Sequence, residues 1–161
     1  MKIFLASPLG FAESTRAFLG VLRTKLESLG YDVVDPWSSS TDLEEELRKA
    51  DRLTDPQTRD QEFHRVSMRI AERNAQLLRS CGGVLAVLDG VDVDSGTASE
   101  IGFAFGLGDK VINGYRGDFR RSGENDGVEV NLQVQYWIER SGGRIVHSVE
   151  ELNALFFSQK Q

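Results

Sequence analysis

The chain has one cysteine, three prolines and two histidines in 161 residues. Lone Cys81 excludes an intramolecular disulfide and suits a reducing compartment. It precedes Gly82-Gly83 at a helix-to-strand junction, where a small buried residue is expected rather than a reactive thiol. His64 and His147 are far apart, and Asp89, Asp92 and Asp94 have no calcium-loop continuation, so no metal and no cofactor are expected. Positive charge is also short. Nineteen Lys and Arg face twenty-five Asp and Glu, a net charge of -6 with no basic cluster, which argues against nucleic-acid binding. No apolar run approaches membrane-spanning length, and the Ile3-Phe4-Leu5-Ala6 run after Lys2 is far too short for a signal segment. No membrane association and a cytoplasmic location are therefore expected. Repeats and low-complexity tracts are lacking, and the Ser38 to Asp42 loop is too short to separate domains, so residues 1–161 should form a single domain.

What is present is an alternation of short apolar strands and amphipathic helices. Strands are expected at 3–6, 31–34, 84–88, 110–113 and 144–146. A helix from Ala12 to Leu29 has Phe18, Leu19, Leu22, Leu26 and Leu29 at helical spacing, with Gly30 ending it. Leu43 to Lys49 reads as a short polar helix. A longer one starts near a Thr54/Gln57 capping box, has Pro56 in its first turn and runs to Ser80. Further helices are expected at 96–107, after an Asn131 cap, and from a Ser148/Glu151 capping box to about Phe157, with a long loop over 114–130. Near-continuously apolar strands alternating with helices specify an α/β fold. The expected form is a flavodoxin-like doubly wound five-stranded parallel sheet, order 2-1-3-4-5, with helices on both faces. Its crevice would lie between Ser7-Pro8 and the Asp89 to Glu100 segment.

Chemistry concentrates in that segment. The apolar run Val84 to Leu88 empties into a loop with Asp89, Asp92 and Asp94, and Gly96-Thr97 then opens a helix with Glu100 in its first turn. Four carboxylates in twelve residues repel one another, so gathering them must serve something. Two readings stand for each. Glu100 either complements the helix dipole or, held ionised there, acts as a nucleophile. Asp94 or Ser95 caps the helix, or a carboxylate beside Glu100 binds sugar hydroxyls or handles a proton. Ser7 and Gly10 lie where strand one meets the crevice, but a phosphate loop would need more glycines or a lysine. Asn131 reads first as a helix cap. Tyr136 and Trp137 read as core or interface.

These residues resemble the nucleoside 2-deoxyribosyltransferase family over nearly the whole chain. The resemblance rests on Ile3-Phe4-Leu5-Ala6-Ser7-Pro8, on Leu88-Asp89-Gly90 followed by Asp94-Ser95-Gly96-Thr97-Ala98-Ser99-Glu100-Ile101-Gly102, and on Gly114-Tyr115-Arg116 with Asp118-Phe119-Arg120. Val130-Asn131-Leu132 adds to it. It implies a retaining double displacement in which Glu100 attacks the anomeric carbon of a 2′-deoxyribonucleoside, releases the base, and passes the deoxyribosyl group to a second purine or pyrimidine base. It implies that Asp94 contacts the substrate beside Glu100. It also implies a homo-oligomer, dimer or hexamer, in which Asn131 reaches the 5′-hydroxyl in a neighbouring site. Ser7, Phe4, Asn74, Asp89, Asp92, Gly96 and Thr97 complete the expected substrate-binding set. Two positions depart from the pattern. Asn74 stands where some members have an Asp that handles the base proton, and it cannot supply one; either Asp89, Asp92 or water does so, or the base leaves by another arrangement. Phe4 stands where some members have a Tyr.

Two rivals remain. One is a hydrolase that cleaves 2′-deoxynucleoside 5′-monophosphates; the turn Ser7-Pro8-Leu9-Gly10 lacks the Arg such an enzyme would favour, though Arg116, Arg120 and Arg121 follow later. The other is a non-catalytic nucleotide-sensing module on the same fold.

Overall fold

A computed structural model describes residues 1–39, 41–153 and 156–157. Its strands are β1 (Lys2–Ala6), β2 (Asp32–Val34), β3 (Gly83–Val87), β4 (Val111–Tyr115) and β5 (Ile145–Val146). Its α-helices are α1 (Glu13–Ser28), α2 (Thr41–Asp51), α3 (Pro56–Ser80), α4 (Ser95–Leu107) and α5 (Leu132–Arg140), with a 3-10 turn at Pro8–Gly10. All strand pairs are parallel and the order is β2-β1-β3-β4-β5, the expected flavodoxin-like arrangement. No helix among the described residues is long and apolar enough to cross a membrane.

Strand side chains alternate between two cores, because successive residues point to opposite faces. Ile3, Leu5, Leu85 and Val87 pack with Leu19, Leu22 and Leu26 of α1 on one face. Phe4, Ala6, Val84 and Ala86 pack on the other with Leu78 of α3, Ile101 and Ala104 of α4, and Val134 and Ile138 of α5. From β1 the chain winds through α1 to β2 at one edge, then returns through α2 and α3 to β3 on the other side of β1. The loops after β1 and β3 therefore diverge, which opens a crevice at the carboxyl ends of these two neighbours.

Several boundaries differ from the sequence reading. Helix α3 is capped by Asp55, not Thr54: its carboxylate accepts from the Thr58 amide at 2.8 Å and the Thr58 hydroxyl at 2.6 Å, leaving Pro56 at the first helical position. Strand β4 continues through Gly114 and Tyr115 because both pair with β3, so the long loop starts at 116. The expected last helix is absent from residues 147–153, which form bends and turns. Glu151 accepts from the His147 amide rather than completing a cap with Ser148. Residues 154 and 155 of that expectation lie outside the described residues. Buried Asn113 explains the outcome at the chain's far end: its amide donates to the Phe156 carbonyl at 2.9 Å and accepts from the Arg144 amide at 2.9 Å.

The loops beyond β3 and β4 are locked together by Arg116, which is only 2% exposed. Its guanidinium donates to the carbonyls of Leu88, Gly90 and Arg120. Planar, multi-donor geometry suits Arg to this task. Replacing it with apolar Met would leave the buried Leu88 carbonyl and the part-buried Gly90 and Arg120 carbonyls without this donor. Arg116→Met is therefore expected to lower unfolding free energy by about 3 kcal/mol in urea titrations.

Candidate active site

The crevice holds a cavity of about 350 Å³, within the range that binds small molecules. Ser7 and Phe11 follow β1, Pro36 and Trp37 follow β2, Glu44 and Leu47 come from α2, and Ile70 and Asn74 from α3. Asp94, Gly96, Thr97 and Glu100 form the wall at the start of α4. The site is thus assembled at the strand ends from three helices and two loops, none of which could form it alone.

Asp94 sets the α4 wall. It is the N-cap, and its carboxylate accepts from the Thr97 amide at 2.9 Å and the Thr97 hydroxyl at 3.3 Å. Because the cap is Asp94, Glu100 is the sixth helical residue and stands in the second turn, not the first. Its carboxylate is consequently beyond the free amides that would favour the ionised form. It has neither a hydrogen-bond donor nor a cation beside it among the described residues. Burial, together with the charge of Asp94, pushes the Glu100 carboxyl up to about 7. The expectation of a carboxylate held ionised by the helix terminus is therefore reversed.

The β1 and β2 wall is rigid. Trp37 donates its indole N–H to the Ser7 carbonyl at 2.9 Å, and Phe11 meets its ring edge-on with centroids 4.5 Å apart. Gly10 is required beneath it, since a Cβ there would come within 2.1 Å of the indole. Ser7 accepts from the Leu9 amide at 3.1 Å. On the α2–α3 side, Leu43 and Ala50 bury α2, and Arg73–Asp42 and Arg65–Glu46 join the two helices along the exposed seam. Exposed pairs of this kind add little individually. Within this wall the Asn74 side-chain oxygen is buried with no hydrogen-bond partner.

Six of the ten residues expected at the site line this cavity: Ser7, Asn74, Asp94, Gly96, Thr97 and Glu100. Four do not. Phe4 is fully buried in the core under α3 and α4, because its β1 position points into the sheet's packed face. Asp89 accepts from the Asp118 amide at 2.9 Å, which ties the β3 and β4 loops together. Asp92 accepts from the amide of Val93 in its own turn. Asn131 caps α5 through the Gln133 and Val134 amides and donates to Glu124. Phe11, Trp37, Glu44, Leu47 and Ile70 were not anticipated. Only Trp37 had a usable signal, standing just after the Asp35-Pro36 stop of β2 at the same carboxyl end of the sheet as Ser7.

The family model for nucleoside 2-deoxyribosyltransferase matches residues 3–133. The chain belongs to that family. Its fold is similar to the 2-deoxyribosyltransferase of Bacillus psychrosaccharolyticus, with a TM-score of 0.63 and 19% identity over 94% of this chain and 89% of that one. The 2-deoxyribosyltransferase of Leishmania mexicana gives 0.62 and 22% over 92% and 91%. The CMP N-glycosidase BcmB of Clostridium botulinum gives 0.52 and 20% over 94% and 93%. At such identities the likeness shows the fold. No curated protein matches the chain significantly in sequence.

In this member of the nucleoside 2-deoxyribosyltransferase family, the raised Glu100 carboxyl carries a stability cost. Below about pH 4.5 folded and unfolded chains both hold the proton. As pH rises from 4.5 to 7 the unfolded chain releases it first, so stability falls by on the order of 3 kcal/mol. Glu100→Gln, which cannot ionise, should be more stable than the wild type by that order at pH 8 and equal to it near pH 4. Urea unfolding of both proteins at the two pH values checks this.

Proposed function

We propose that this chain exchanges the base of 2′-deoxyribonucleosides by a retaining double displacement. The observation that carries the reading is Glu100, a half-buried carboxyl with no partner among the described residues to neutralise it, aimed by α4 at a cavity of nucleoside-accommodating size. In this reading Glu100 attacks C1′ in its ionised form, forms a glycosyl ester and is displaced by the second base. Burial suits both stages, since a poorly solvated carboxylate is a stronger nucleophile and a fixed charge stabilises the oxocarbenium-like transition state. Asp94, held by Thr97, has its other oxygen for the sugar. Gly96 and Thr97 leave room for the ring to approach the backbone.

The base would lie against Trp37, Leu47 and Ile70, with the unpartnered Asn74 oxygen accepting from its exocyclic amine. Such a contact would satisfy a group that is costly to leave unpaired. Asp89 and Asp92, outside the cavity, serve the loops instead. Asn131 has no place in the cavity of its own chain, which fits a role at a neighbouring site in a homo-oligomer.

Charge favours the neutral nucleoside over a monophosphate. Among the described residues the cavity wall has three carboxyl groups, Glu44, Asp94 and Glu100, and no Lys or Arg. A phosphate dianion would meet repulsion without compensation. The CMP N-glycosidase fold keeps hydrolysis as the second reading.

The test is chromatographic. Deoxyadenosine with cytosine should yield deoxycytidine and adenine, whereas deoxynucleoside monophosphates should release little base. Glu100→Ala should abolish exchange, at least 1,000-fold, with far-UV circular dichroism unchanged. Near-wild-type exchange in that variant would remove the assignment. Base release from monophosphates without an acceptor would favour the hydrolase, and absence of turnover a sensing module.

A further inference from the structure

A base that leaves C1′ of a neutral nucleoside departs as an anion unless a proton reaches one of its ring nitrogens. General acid assistance to such a step is typically worth 10²–10⁴-fold. The cavity must therefore hold an acid for the base as well as a nucleophile for the sugar, and its lining leaves few candidates.

Among the described residues no His, Cys, Tyr or Lys lines the cavity. The Trp37 N–H is engaged with the Ser7 carbonyl, and Asn74 has an amide, which neither gives nor takes a proton at neutral pH. Asp89 and Asp92 are occupied in the loops outside. Of the three carboxyl groups present, Glu100 is the nucleophile, and Asp94 has an oxygen committed to the Thr97 amide and hydroxyl at the sugar end of the cavity. Glu44 remains. It enters from α2, the same wall as Leu47 and next to the α3 wall of Ile70 and Asn74, where the base would lie. Its single described partner is Arg48, one turn along α2 and 3.4 Å away on the solvent side. An i,i+4 pair of that kind is weak and leaves the carboxyl free to turn inward.

We propose that Glu44 is the acid–base residue for the nucleobase. The inference rests on the deoxyribosyl-transfer reading above. In the first half-reaction the Glu100 carboxylate forms a bond to C1′ as the C1′–N bond breaks, and the bonding pair goes to the base nitrogen system. The Glu44 carboxylic acid delivers its proton to a ring nitrogen, so that a neutral base leaves and Glu44 becomes a carboxylate. In the second half-reaction the incoming base attacks C1′, the Glu100–C1′ ester bond breaks, and the ring N–H proton of that base returns to Glu44. Proton and charge balance over the cycle, with no other reactant.

The decisive comparison uses two donors that differ only in their need for that proton. 2′-Deoxyguanosine must be protonated to leave well. Its N7-methyl derivative already carries the positive charge and leaves as a neutral base unaided. Base release is followed in the first turnover of the full-length wild type and of Glu44→Gln and Glu44→Asp. Glu44→Gln should slow release from deoxyguanosine by about 100-fold or more and from the N7-methyl donor by less than about 3-fold. Glu44→Asp, which keeps an acid, should recover at least tenfold over Gln on deoxyguanosine.

Equal losses on both donors, or no loss on deoxyguanosine, would overturn the assignment of Glu44 while leaving Glu100 chemistry intact. An Asp variant no better than Gln would overturn it too. If the wild type released base from neither donor, the deoxyribosyl-transfer reading would itself fall and take this inference with it.

Discussion

Asp94 is the residue through which the sheet's topology becomes chemistry. The carboxyl ends of β1 and β3 diverge, and the chain leaving β3 must restart as a helix at that divergence. Asp94 makes the restart definite by accepting from the Thr97 amide and hydroxyl, so α4 begins at one residue and no other. With the helix phase set, Glu100 is delivered to the cavity one and a half turns later. Moving the cap by one residue would rotate Glu100 by about 100° and remove it from the crevice.

That placement opposes stability. Glu100 is withdrawn from water with a second carboxylate nearby and no cation to offset it. The fold tolerates this because the rest of the α4 environment is apolar and closely packed: Ile101 and Ala104 are fully buried, and Gly102 lets Trp137 approach the helix closely. A destabilised carboxyl in a well-packed frame is the pattern expected where a protein stores reactivity. Trp37 on Ser7, Asn113 on the far segment and Arg116 on the two loops perform the complementary task of holding the frame still.

The division of labour among the acidic residues follows from the same frame. In sequence Asp89, Asp92, Asp94 and Glu100 form one cluster. In space they separate: Asp89 fastens loops, Asp92 shapes its turn, Asp94 caps a helix beside the cavity, and Glu100 alone is left without a partner. Glu44, fifty-six residues before Glu100, joins the cavity instead. Proximity along the chain thus overstated the cluster and missed its third member.

The sequence alone determined the sheet. Apolar strands at regular intervals, buried on both faces, leave few alternatives to a parallel α/β fold, and 2-1-3-4-5 is one of the common doubly wound orders that handedness allows. It also determined Glu100 and Asp94 as a pair, because their spacing lies within one local element whose geometry is known in advance. What only the tertiary structure decided lies across elements. Glu44, Trp37 and Ile70 reach the cavity through the packing of α2, α3 and the β2 turn on the sheet, and no periodicity encodes that meeting. The protonation of Glu100 was decided there too, since a carboxyl's charge depends on the water and charges around it in space. That it lies near the start of α4 was readable from the chain; its turn of the helix and its environment were not.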